Sequence, residues 1–249
     1  MSEILLERNG SVAVITLNAP ERRNAFTPEM VSALIETCDA IDADESVGAV
    51  VLQARGDSFC SGAHRGVLAE AGKDPVSNDN YRRLGRTYQA FVRVGELQAP
   101  TVAAVRGHAV GAGVNLMLAT DLRVVANGAR IMTGFLRIAI HPGGGHFALL
   151  GRSAGREAAA AMSVFGQEID GRRAAALGLA WESVEEAEVE PRALELAALA
   201  GADPELARAT VRSFRLELGP PAIPWAAALE VEKATQMWSL RRREEKTAP

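Results

Sequence analysis

Cysteine and histidine are scarce in this sequence of 249 residues, which holds two cysteines and four histidines. The two cysteines, Cys38 and Cys60, cannot build a disulfide framework, and such sparse cysteine is typical of proteins from reducing compartments. None of the histidines has cysteine, histidine or carboxylate neighbours at the spacing of a recognisable metal site. The composition therefore excludes a disulfide-stapled fold, predicts no metal centre and favours a cytoplasmic location.

Basic tracts are also lacking. Lysine occurs only at positions 73, 233 and 246, and 27 Lys+Arg against 31 Asp+Glu leave a formal charge of −4. A run of three arginines at 241–243 is followed at once by Glu244 and Glu245, which is typical of a solvated tail. Because phosphate backbones are bound by clustered lysine and arginine, the sequence predicts no nucleic-acid partner.

No hydrophobic run has the length and purity of a membrane span. The most apolar window, residues 99–120, contains Arg106 and several glycines, so it does not fit a transmembrane helix. Glu3, Glu7 and Arg8 interrupt the first apolar stretch, which predicts that no signal peptide opens the chain. With a hydrophobic fraction of 48%, ordinary for a globular domain, we expect a soluble protein without a membrane partner.

Turn residues and apolar spacing divide the chain into an α/β body and a helical last third. An Asn-Gly turn at 9–10 between two apolar runs predicts a β-hairpin, and Thr27 followed by Pro28 predicts the start of a helix. The predicted strands are residues 4–7, 12–17, 49–52, 101–105 and 122–126. The later predicted helices are residues 81–97, 113–119, 154–164, 170–177, 191–200, 204–218 and 225–243, and residues 72–80 are predicted to form a mobile surface loop. Strand signals almost vanish after residue 151.

Two loops with small residues, at 56–64 and 107–113, each follow a predicted strand. Small residues let backbone N–H groups approach a ligand closely, and two such groups converging on one carbonyl oxygen form an oxyanion hole. The alternative is that both loops are only tight strand–helix turns, which are common. The second loop lacks the third glycine of a dinucleotide fingerprint and the Gly-Lys-Ser/Thr of a phosphate-binding loop, so neither nucleotide motif is present.

Four blocks of sequence carry a resemblance to a known family. They are NAPERRNAF at 18–26, FCSGA at 59–63, AAVRGHAVGAG at 103–113 and ATDLR at 119–123. In order and spacing, from about residue 5 to residue 178, they resemble the crotonase family, the enoyl-CoA hydratase/isomerase superfamily. The resemblance implies an α/β fold, a spiral of ββα units over residues 1–195 with an acyl-CoA cleft. It also implies an all-helical C-terminal trimerisation region at 196–249, and hence a homotrimer or a dimer of trimers.

The same resemblance implies an acyl-CoA thioester as substrate, with no cofactor beyond the coenzyme A of that substrate. By it, the backbone N–H groups of Ala63 and Ala112 form the oxyanion hole; the family's second donor is usually a glycine, and an alanine supplies the same N–H. The substrate-binding positions that it implies are Arg22, Arg23, Ala25, Ser61, Gly62, His64, Arg65, Gly111, Gly134 and Ile138. The three arginines are candidates for contacts with the CoA phosphates, and the alternative is that they are ordinary solvated side chains.

Both acid–base glutamates of the hydratase members are replaced in this sequence. Asn115 stands three residues after the second oxyanion donor, and Phe135 stands where the relatives have the glutamate of a Pro-Glu pair. Hydration needs a carboxylate to deprotonate water and a group to protonate the α-carbon, and neither replacement can do this. The sequence therefore predicts that efficient hydration is lost, with isomerisation in equal doubt. Phe135 also predicts an apolar pocket floor, which favours a longer or aromatic acyl group.

Histidine is the remaining candidate for a general base. His141 is the first choice, because it precedes the segment Pro-Gly-Gly-Gly that opens a helix near the acyl pocket in relatives. His64 lies beside the first oxyanion donor, while His146 and His108 are weaker candidates. For each, the alternative is a turn histidine that caps a helix or lies on the surface.

Three functions stay open at this point. The first is an acyl-CoA enzyme, nominally an enoyl-CoA hydratase/isomerase, with an altered acid–base set. The second is a non-catalytic acyl-CoA-binding or carrier protein. The third is a histidine-assisted hydrolase of a thioester or a C–C bond. In all three, the apolar residues of the last predicted helix are expected to pack against neighbouring subunits; these are Trp225, Leu229, Met237 and Trp238.

Overall fold

The computed structural model describes residues 2–218 and part of the segment from 225 to 245. The described residues of that segment, all helical, are Trp225, Ala226, Leu229, Glu230, Lys233, Gln236, Met237, Leu240, Arg241, Glu244 and Glu245. The predicted helix 225–243 therefore lies partly outside the described residues, and Trp238 lies outside them altogether. Among the helices that are described, none has the length and apolar character needed to cross a membrane.

A six-stranded sheet forms the centre of the fold. In spatial order its strands are β1 (Ile4–Asn9), β2 (Val12–Leu17), β3 (Ala49–Ala54), β5 (Thr101–Val105), β7 (Leu122–Ala126) and β10 (Glu182–Val184). β1 and β2 form the predicted antiparallel hairpin, and every other neighbouring pair in this sheet is parallel. The α/β class is confirmed, and the predicted strands are all present.

A smaller, four-stranded sheet was not predicted. Its strands are, in order, β4 (Ser58–Cys60), β6 (His108–Val110), β8 (Arg130–Met132) and β9 (Ile169–Asp170). Strands of two or three residues are too short to display the period of two that marks a half-buried strand. For the same reason the expectation of almost no strands after residue 151 is wrong, since both β9 and β10 lie there.

Eight α-helices are described along residues 2–218. They are α1 (Pro28–Ala43), α2 (Arg65–Lys73), α3 (Asn78–Gly95), α4 (Ala112–Ala119), α5 (His146–Ser163), α6 (Gly171–Ala176), α7 (Val189–Ala200) and α8 (Pro204–Leu218). The Thr27 side chain accepts a hydrogen bond from the Met30 N–H at 3.1 Å, so the predicted start of α1 is confirmed. The predicted loop at 72–80 is shorter than expected, because α2 extends to residue 73 and Ser77 caps α3. α5 begins before its predicted start and carries a kink at Gly155.

The central strands β2, β3 and β5 of the large sheet are buried on both faces along most of their length. Val14, Val51 and Val124 point to one face, where they pack against α7. Ile15 and Leu52 point to the other, where they pack in the core with α1, α3 and α4. This alternation along neighbouring strands explains why the parallel strands appear in the sequence as continuous apolar runs. The small sheet lies beside this core and carries the two loops singled out above.

Candidate functional site

The two loops meet where β4 and β6 end, because these strands pair in parallel. A Cβ atom built on Gly62 would lie 2.7 Å from the carbonyl oxygen of Val110 and 3.3 Å from the nitrogen of Ala112. A Cβ atom on Gly113 would overlap the carbonyl oxygen of Cys60. The missing side chains at these two glycines therefore permit the close approach of the loops.

The backbone N–H of Ala63 points away from the neighbouring segment at Phe26. The Phe26 N–H donates to the Gly62 carbonyl at 2.8 Å, and the His64 N–H donates to the Phe26 carbonyl at 3.0 Å. Phe26 and Ala63 form a parallel bridge, in which Gly62 and His64 make the two hydrogen bonds to Phe26. In this pattern the N–H of Ala63 is directed to the side opposite Phe26. Ala63 lines both of the cavities described below.

Ala112 carries a second candidate N–H and lines the smaller of these two cavities, the inner cavity. It is the first residue of α4, and the hydrogen bonds of that helix begin with Val114 and Asn115, which donate to the Gly111 carbonyl at 3.0 and 3.2 Å. The first N–H groups of a helix have no partner within it and attract negative charge. Gly111 has φ 55° and ψ −114°, a conformation suited to glycine, and this turn sets the direction of the Ala112 N–H. Ala63 and Ala112 both line the inner cavity, so the residues that carry the two backbone N–H groups border the same space.

An open cleft of about 830 Å³ lies on one side of these donors. Its lining includes seven of the predicted substrate-binding residues: Arg22, Arg23, Ala25, Ser61, His64, Arg65 and Ile138. Arg22 is held in ion pairs with Glu3 at 2.6 Å and Glu21 at 3.1 Å, whereas Arg23 and Arg65 are exposed. A fourth arginine, Arg137, also lines the cleft and was not predicted.

Asn24 fixes the arginine-bearing wall of this cleft. It is fully buried and adopts φ 53°, and its side-chain oxygen accepts from the Ala19 N–H at 2.8 Å. Its amide nitrogen donates to the carbonyls of Arg55 at 2.9 Å and Ser58 at 2.8 Å. The turn that bears Arg22 and Arg23 is thereby tied to the connection between β3 and β4. The sequence signal for this residue was its place within the first block of the resemblance.

A smaller, mostly apolar cavity of about 70 Å³ lies on the other side of the donors. Its described lining consists of Ser61, Gly62, Ala63, Leu68, Leu84, Thr87, Tyr88, Val110, Gly111, Ala112, Thr133, Phe135, Ile138, Ile140, Gly143 and Gln236. No aspartate, glutamate, histidine, lysine or arginine is among these described lining residues. The apolar floor expected from Phe135 is present. The volume of this cavity is less than half of the about 150 Å³ that holds a benzene ring, and the longer or aromatic acyl group stays a prediction.

Asn115 and His146 form a buried polar pair behind this cavity. The Asn115 amide nitrogen donates to the Gly143 carbonyl at 3.0 Å, so its oxygen accepts from His146 Nδ1, 2.6 Å away. Burial lowers the pKa of His146 from 6.5 to about 3, so this imidazole is neutral at physiological pH. Its ring packs edge-on against Phe135 with centroids 5.0 Å apart. Asn115 and His146 are absent from the described lining of both cavities, as is Gly134.

His64, His141 and Cys60 all lie outside the described lining of the inner cavity. His64 lines the outer cleft, where its Nδ1 accepts from the Gly66 N–H at 3.2 Å and caps α2. His141 is half-buried with Nδ1 2.7 Å from the Pro142 carbonyl, and it is not among the described lining residues of either cavity. Burial raises the pKa of the Cys60 thiol to about 12, so no thiolate forms there near neutrality.

The described residues of the last segment pack on their own chain. Met237 and Leu240 lie in the main core, and the Trp225 ring stacks on Phe91 with centroids 6.4 Å apart. Met237 is thus buried within its own chain, whereas Trp225 and Leu229 are half-buried against the same core, and their packing on neighbouring subunits stays a prediction. Gln236 reaches the wall of the inner cavity, which the sequence gave no reason to expect.

The buried His146 makes stability depend on pH. The pKa of His146 is about 3 in the folded protein and 6.5 without burial. The neutral, buried ring therefore does not reduce the free energy of unfolding above pH 6.5, and it reduces that free energy progressively as the pH falls from 6.5 towards 3. Between about pH 7.5 and about pH 5, this one group should lower the free energy of unfolding by about 2 kcal/mol. Urea unfolding at both pH values measures the loss. His146→Asn keeps a donor for Asn115 and does not titrate. The fall in the free energy of unfolding between the two pH values should therefore be about 2 kcal/mol smaller in this variant than in the unmodified protein. An equal fall in both proteins contradicts the buried, neutral state of His146.

Comparisons with known proteins agree with this architecture. A profile of the family described as enoyl-CoA hydratase/isomerase matches residues 7–244. A probable enoyl-CoA hydratase, EchA14, of Mycobacterium tuberculosis is 37% identical over 238 residues, covering 88% of this chain and 91% of that protein. A 1,2-epoxyphenylacetyl-CoA isomerase of Escherichia coli is 31% identical over 200 residues, covering 79% of this chain and 75% of that protein. The crystal structure of an enoyl-CoA hydratase/isomerase from Xanthobacter autotrophicus Py2 is similar with a TM-score of 0.87 at 31% identity, covering 97% of this chain and 90% of that one.

Proposed function

This chain belongs to the enoyl-CoA hydratase/isomerase family of the crotonase superfamily, and on that premise we propose that it binds an acyl-CoA thioester and stabilises an oxyanion at the thioester carbonyl. The observation that carries the proposal is the junction of the outer cleft and the inner cavity. They share the lining residues Ser61, Ala63, Leu68, Val110 and Ile138. A thioester at this junction has its carbonyl beside the backbone donors, its CoA in the cleft and its acyl group in the cavity.

The outer cleft suits the CoA half of such a ligand. Its volume of about 830 Å³ lies within the range of small-molecule sites. Arg23 and Arg65 are exposed on its wall, and guanidinium groups bind phosphates with paired, charge-assisted hydrogen bonds. Arg22 is already paired with Glu3, so we assign the phosphate contacts to Arg23 and Arg65.

The backbone donors supply the chemical part of the site. When a thioester forms an enolate or a tetrahedral intermediate, negative charge develops on its carbonyl oxygen. The N–H groups of Ala63 and Ala112 are fixed by the loops that carry them, so they need no rearrangement at that moment. Each such donor is worth about 3 kcal/mol of transition-state stabilisation.

We do not propose efficient hydration as the reaction of this site. Water addition needs a group that takes a proton, and the described lining of the inner cavity offers no carboxylate and no histidine. The nominal hydratase or isomerase activity, which the names of the relatives suggest, would therefore depend on an altered acid–base set. A second candidate function is that of a non-catalytic acyl-CoA-binding protein. The same lining favours it, since binding needs the cleft and the donors but no base.

We further propose a homotrimer or a dimer of trimers, with residues 1–195 as the unit that binds the substrate and 196–249 as the oligomerisation region. Large apolar side chains on the surface of the described part of this region support an interface, among them Leu199, 80% exposed, and Leu206, 62% exposed. We expect the protein in the cytoplasm, and we expect it to need no cofactor besides the CoA of its substrate.

A panel of thioesters tests the proposal. Purified protein is mixed with saturated, 2-enoyl and 3-oxoacyl-CoAs, binding is measured by calorimetry, and substrate masses are measured after incubation. We expect tight complexes and no addition of water to the enoyl-CoAs. Release of free CoA or of a cleaved acyl chain favours the histidine-assisted hydrolase, and unchanged masses with tight complexes favour the binding protein. If none of the thioesters binds, the proposal is wrong.

Restoring both carboxylates should create hydration. In the double variant Asn115→Glu, Phe135→Glu, we expect the rate of water addition to crotonyl-CoA to rise about 100-fold, since general acid–base groups contribute at least that much. The loss of enoyl-thioester absorbance measures it. The control is Asn115→Gln with Phe135→Gln, which has the same size without the charge. If the double glutamate variant binds crotonyl-CoA but hydrates it no faster than the control, these positions do not correspond to the family's glutamates.

A further inference from the structure

A third cavity, of about 580 Å³, lies between α1, α2 and α3. Its volume is within the range of small-molecule sites. It shares Leu84 and Thr87 with the wall of the inner cavity, and it shares His64 with the outer cleft. A ligand in this helix-lined cavity would therefore contact residues that border both of the other spaces without occupying either. Acyl-CoA binding in the outer cleft and the inner cavity gives it no role.

One part of the lining of the helix-lined cavity is aliphatic. Each of the three helices contributes to it: Val31 comes from α1, Val67 and Ala71 from α2, and Leu84 from α3. Val31, Ala71 and Leu84 are buried, and Val67 is half-buried. Because burying apolar surface is favourable, these side chains suit a ligand with a hydrocarbon body.

Two arginines of α3 line the same cavity. Arg83 and Arg86 are three positions apart, which places them as neighbours on one face of the helix. Both residues are exposed, and neither guanidinium forms a hydrogen bond or a close ion pair with any described residue. Guanidinium groups bind carboxylates and phosphates with charge-assisted hydrogen bonds. The arginines therefore suit a ligand whose hydrocarbon body ends in an anionic head group.

The acidic residues of this wall favour a head group with one negative charge. The Glu70 carboxylate accepts a hydrogen bond from Lys73 at 2.8 Å, and Lys73 and, more weakly, Arg83 lower the pKa of Glu70. Glu29 lies in the first turn of α1, where the helix dipole stabilises a carboxylate. Both residues thus keep their negative charge near the arginines. They repel a doubly charged phosphate monoester more strongly than a carboxylate.

We propose that the helix-lined cavity binds a medium-chain carboxylate, with its hydrocarbon chain against the aliphatic residues and its head group at Arg83 and Arg86. This ligand is a free acid and not the acyl group of the thioester, since the site is a separate space from the inner cavity. Neither Ala63 nor Ala112 is among its described lining residues. The inference therefore does not depend on the proposed function.

Calorimetry with octanoate and the full-length protein tests the site. We expect octanoate to bind, and octan-1-ol, which has the same chain length without the charge, to bind at least tenfold more weakly. In the double variant Arg83→Gln, Arg86→Gln, the affinity for octanoate should fall about tenfold, because charge-assisted hydrogen bonds are lost. Val67→Phe places a larger side chain in the cavity and should also weaken binding. The arginine variant changes only exposed side chains, so it serves if Val67→Phe does not fold.

Arg82→Gln is the matched control. Arg82 is exposed on the same helix but is not among the described lining residues of the cavity, so its loss should leave the affinity for octanoate unchanged. A second control, Arg23→Gln with Arg65→Gln, removes the arginines assigned to CoA in the outer cleft. It should weaken acyl-CoA binding and leave octanoate binding as it is.

Three results overturn the inference. They are an absence of octanoate binding, equal affinities for octanoate and octan-1-ol, and a loss of octanoate affinity in either control as large as that in the Arg83 and Arg86 variant. The last of these would show that octanoate binds in the outer cleft or by general charge attraction. None of them bears on whether the outer cleft binds an acyl-CoA.

Discussion

Replacing Ala112 with proline should lower the turnover of the acyl-CoA that the protein converts by about 100-fold, with the fold intact. Proline lacks the N–H that we assign to the oxyanion, and it is well tolerated at the first position of a helix, where no intrahelical bond is lost. Ala112 occupies that first position in α4, after a glycine. The substitution therefore removes one donor at the junction and leaves the hydrogen bonds of the helix unchanged. Single-turnover kinetics measure the effect.

If the protein binds an acyl-CoA without converting it, the role of Ala112 can be tested by infrared spectroscopy of the bound thioester. The carbonyl stretching frequency of a bound thioester falls when two N–H groups polarise it, so infrared difference spectra should show a smaller fall in Ala112→Pro. Ala112→Ser keeps the N–H and is the control, with an unchanged spectrum and rate expected. Unaltered rates and spectra in the proline variant, with thermal unfolding also unaltered, would falsify the assignment of Ala112 as a donor.

Adding a methyl group at Gly113 should lower the free energy of unfolding by about 3 kcal/mol, at the upper end of the cost of overpacking. The new Cβ atom would overlap the Cys60 carbonyl oxygen and lie 2.9 Å from the Cys60 Cβ, so the β4 and β6 loops must separate. Both contacts are with the backbone or with a short side chain, and neither can rotate away. For a chain of this length, the melting temperature should fall by roughly 10 °C.

Gly151→Ala is the control for this helix substitution. Gly151 lies in α5, and a Cβ atom there would meet nothing within 4 Å. Alanine is favoured over glycine in a helix by about 1 kcal/mol, so this variant should unfold at the same or a slightly higher temperature. If Gly113→Ala is as stable as Gly151→Ala, the two loops do not approach each other as closely as described. Calorimetric unfolding of the three proteins decides between these results.

Local features of the fold were predictable because their causes are local. The hairpin turn at 9–10 and the cap formed by Thr27 with Pro28 depend on residues a few positions apart, and both were predicted correctly. The small sheet was missed, because its strands are held by pairing with distant segments and not by their own residue pattern. The same holds for β10, whose three residues pair with β7 across more than fifty positions.

In the candidate site, too, the residues in local motifs could be predicted, and those brought together by long-range contacts could not. The loops bearing Ala63 and Ala112 could be found from small residues after strands, and their resemblance to family motifs supplied the proposed roles. Tyr88 and Gln236 could not be found, since their contact spans 148 positions and neither residue lies in a motif. The Asn115 and His146 pair also depends on a tertiary contact, although the replacement at 115 was visible in the sequence.

Because the two assigned donors are backbone groups, they are insensitive to almost every point mutation in their own codons. At residues 63 and 112 only a change to proline removes the backbone N–H. Other substitutions at these two positions keep the donors that we assign to the carbonyl oxygen. The neighbouring positions 115 and 135 have no such protection, since the chemistry there belongs to side chains. Recognition of the thioester and the fate of the thioester can therefore evolve independently. A chain of this design can lose one reaction and acquire another without passing through a form that no longer binds its ligand.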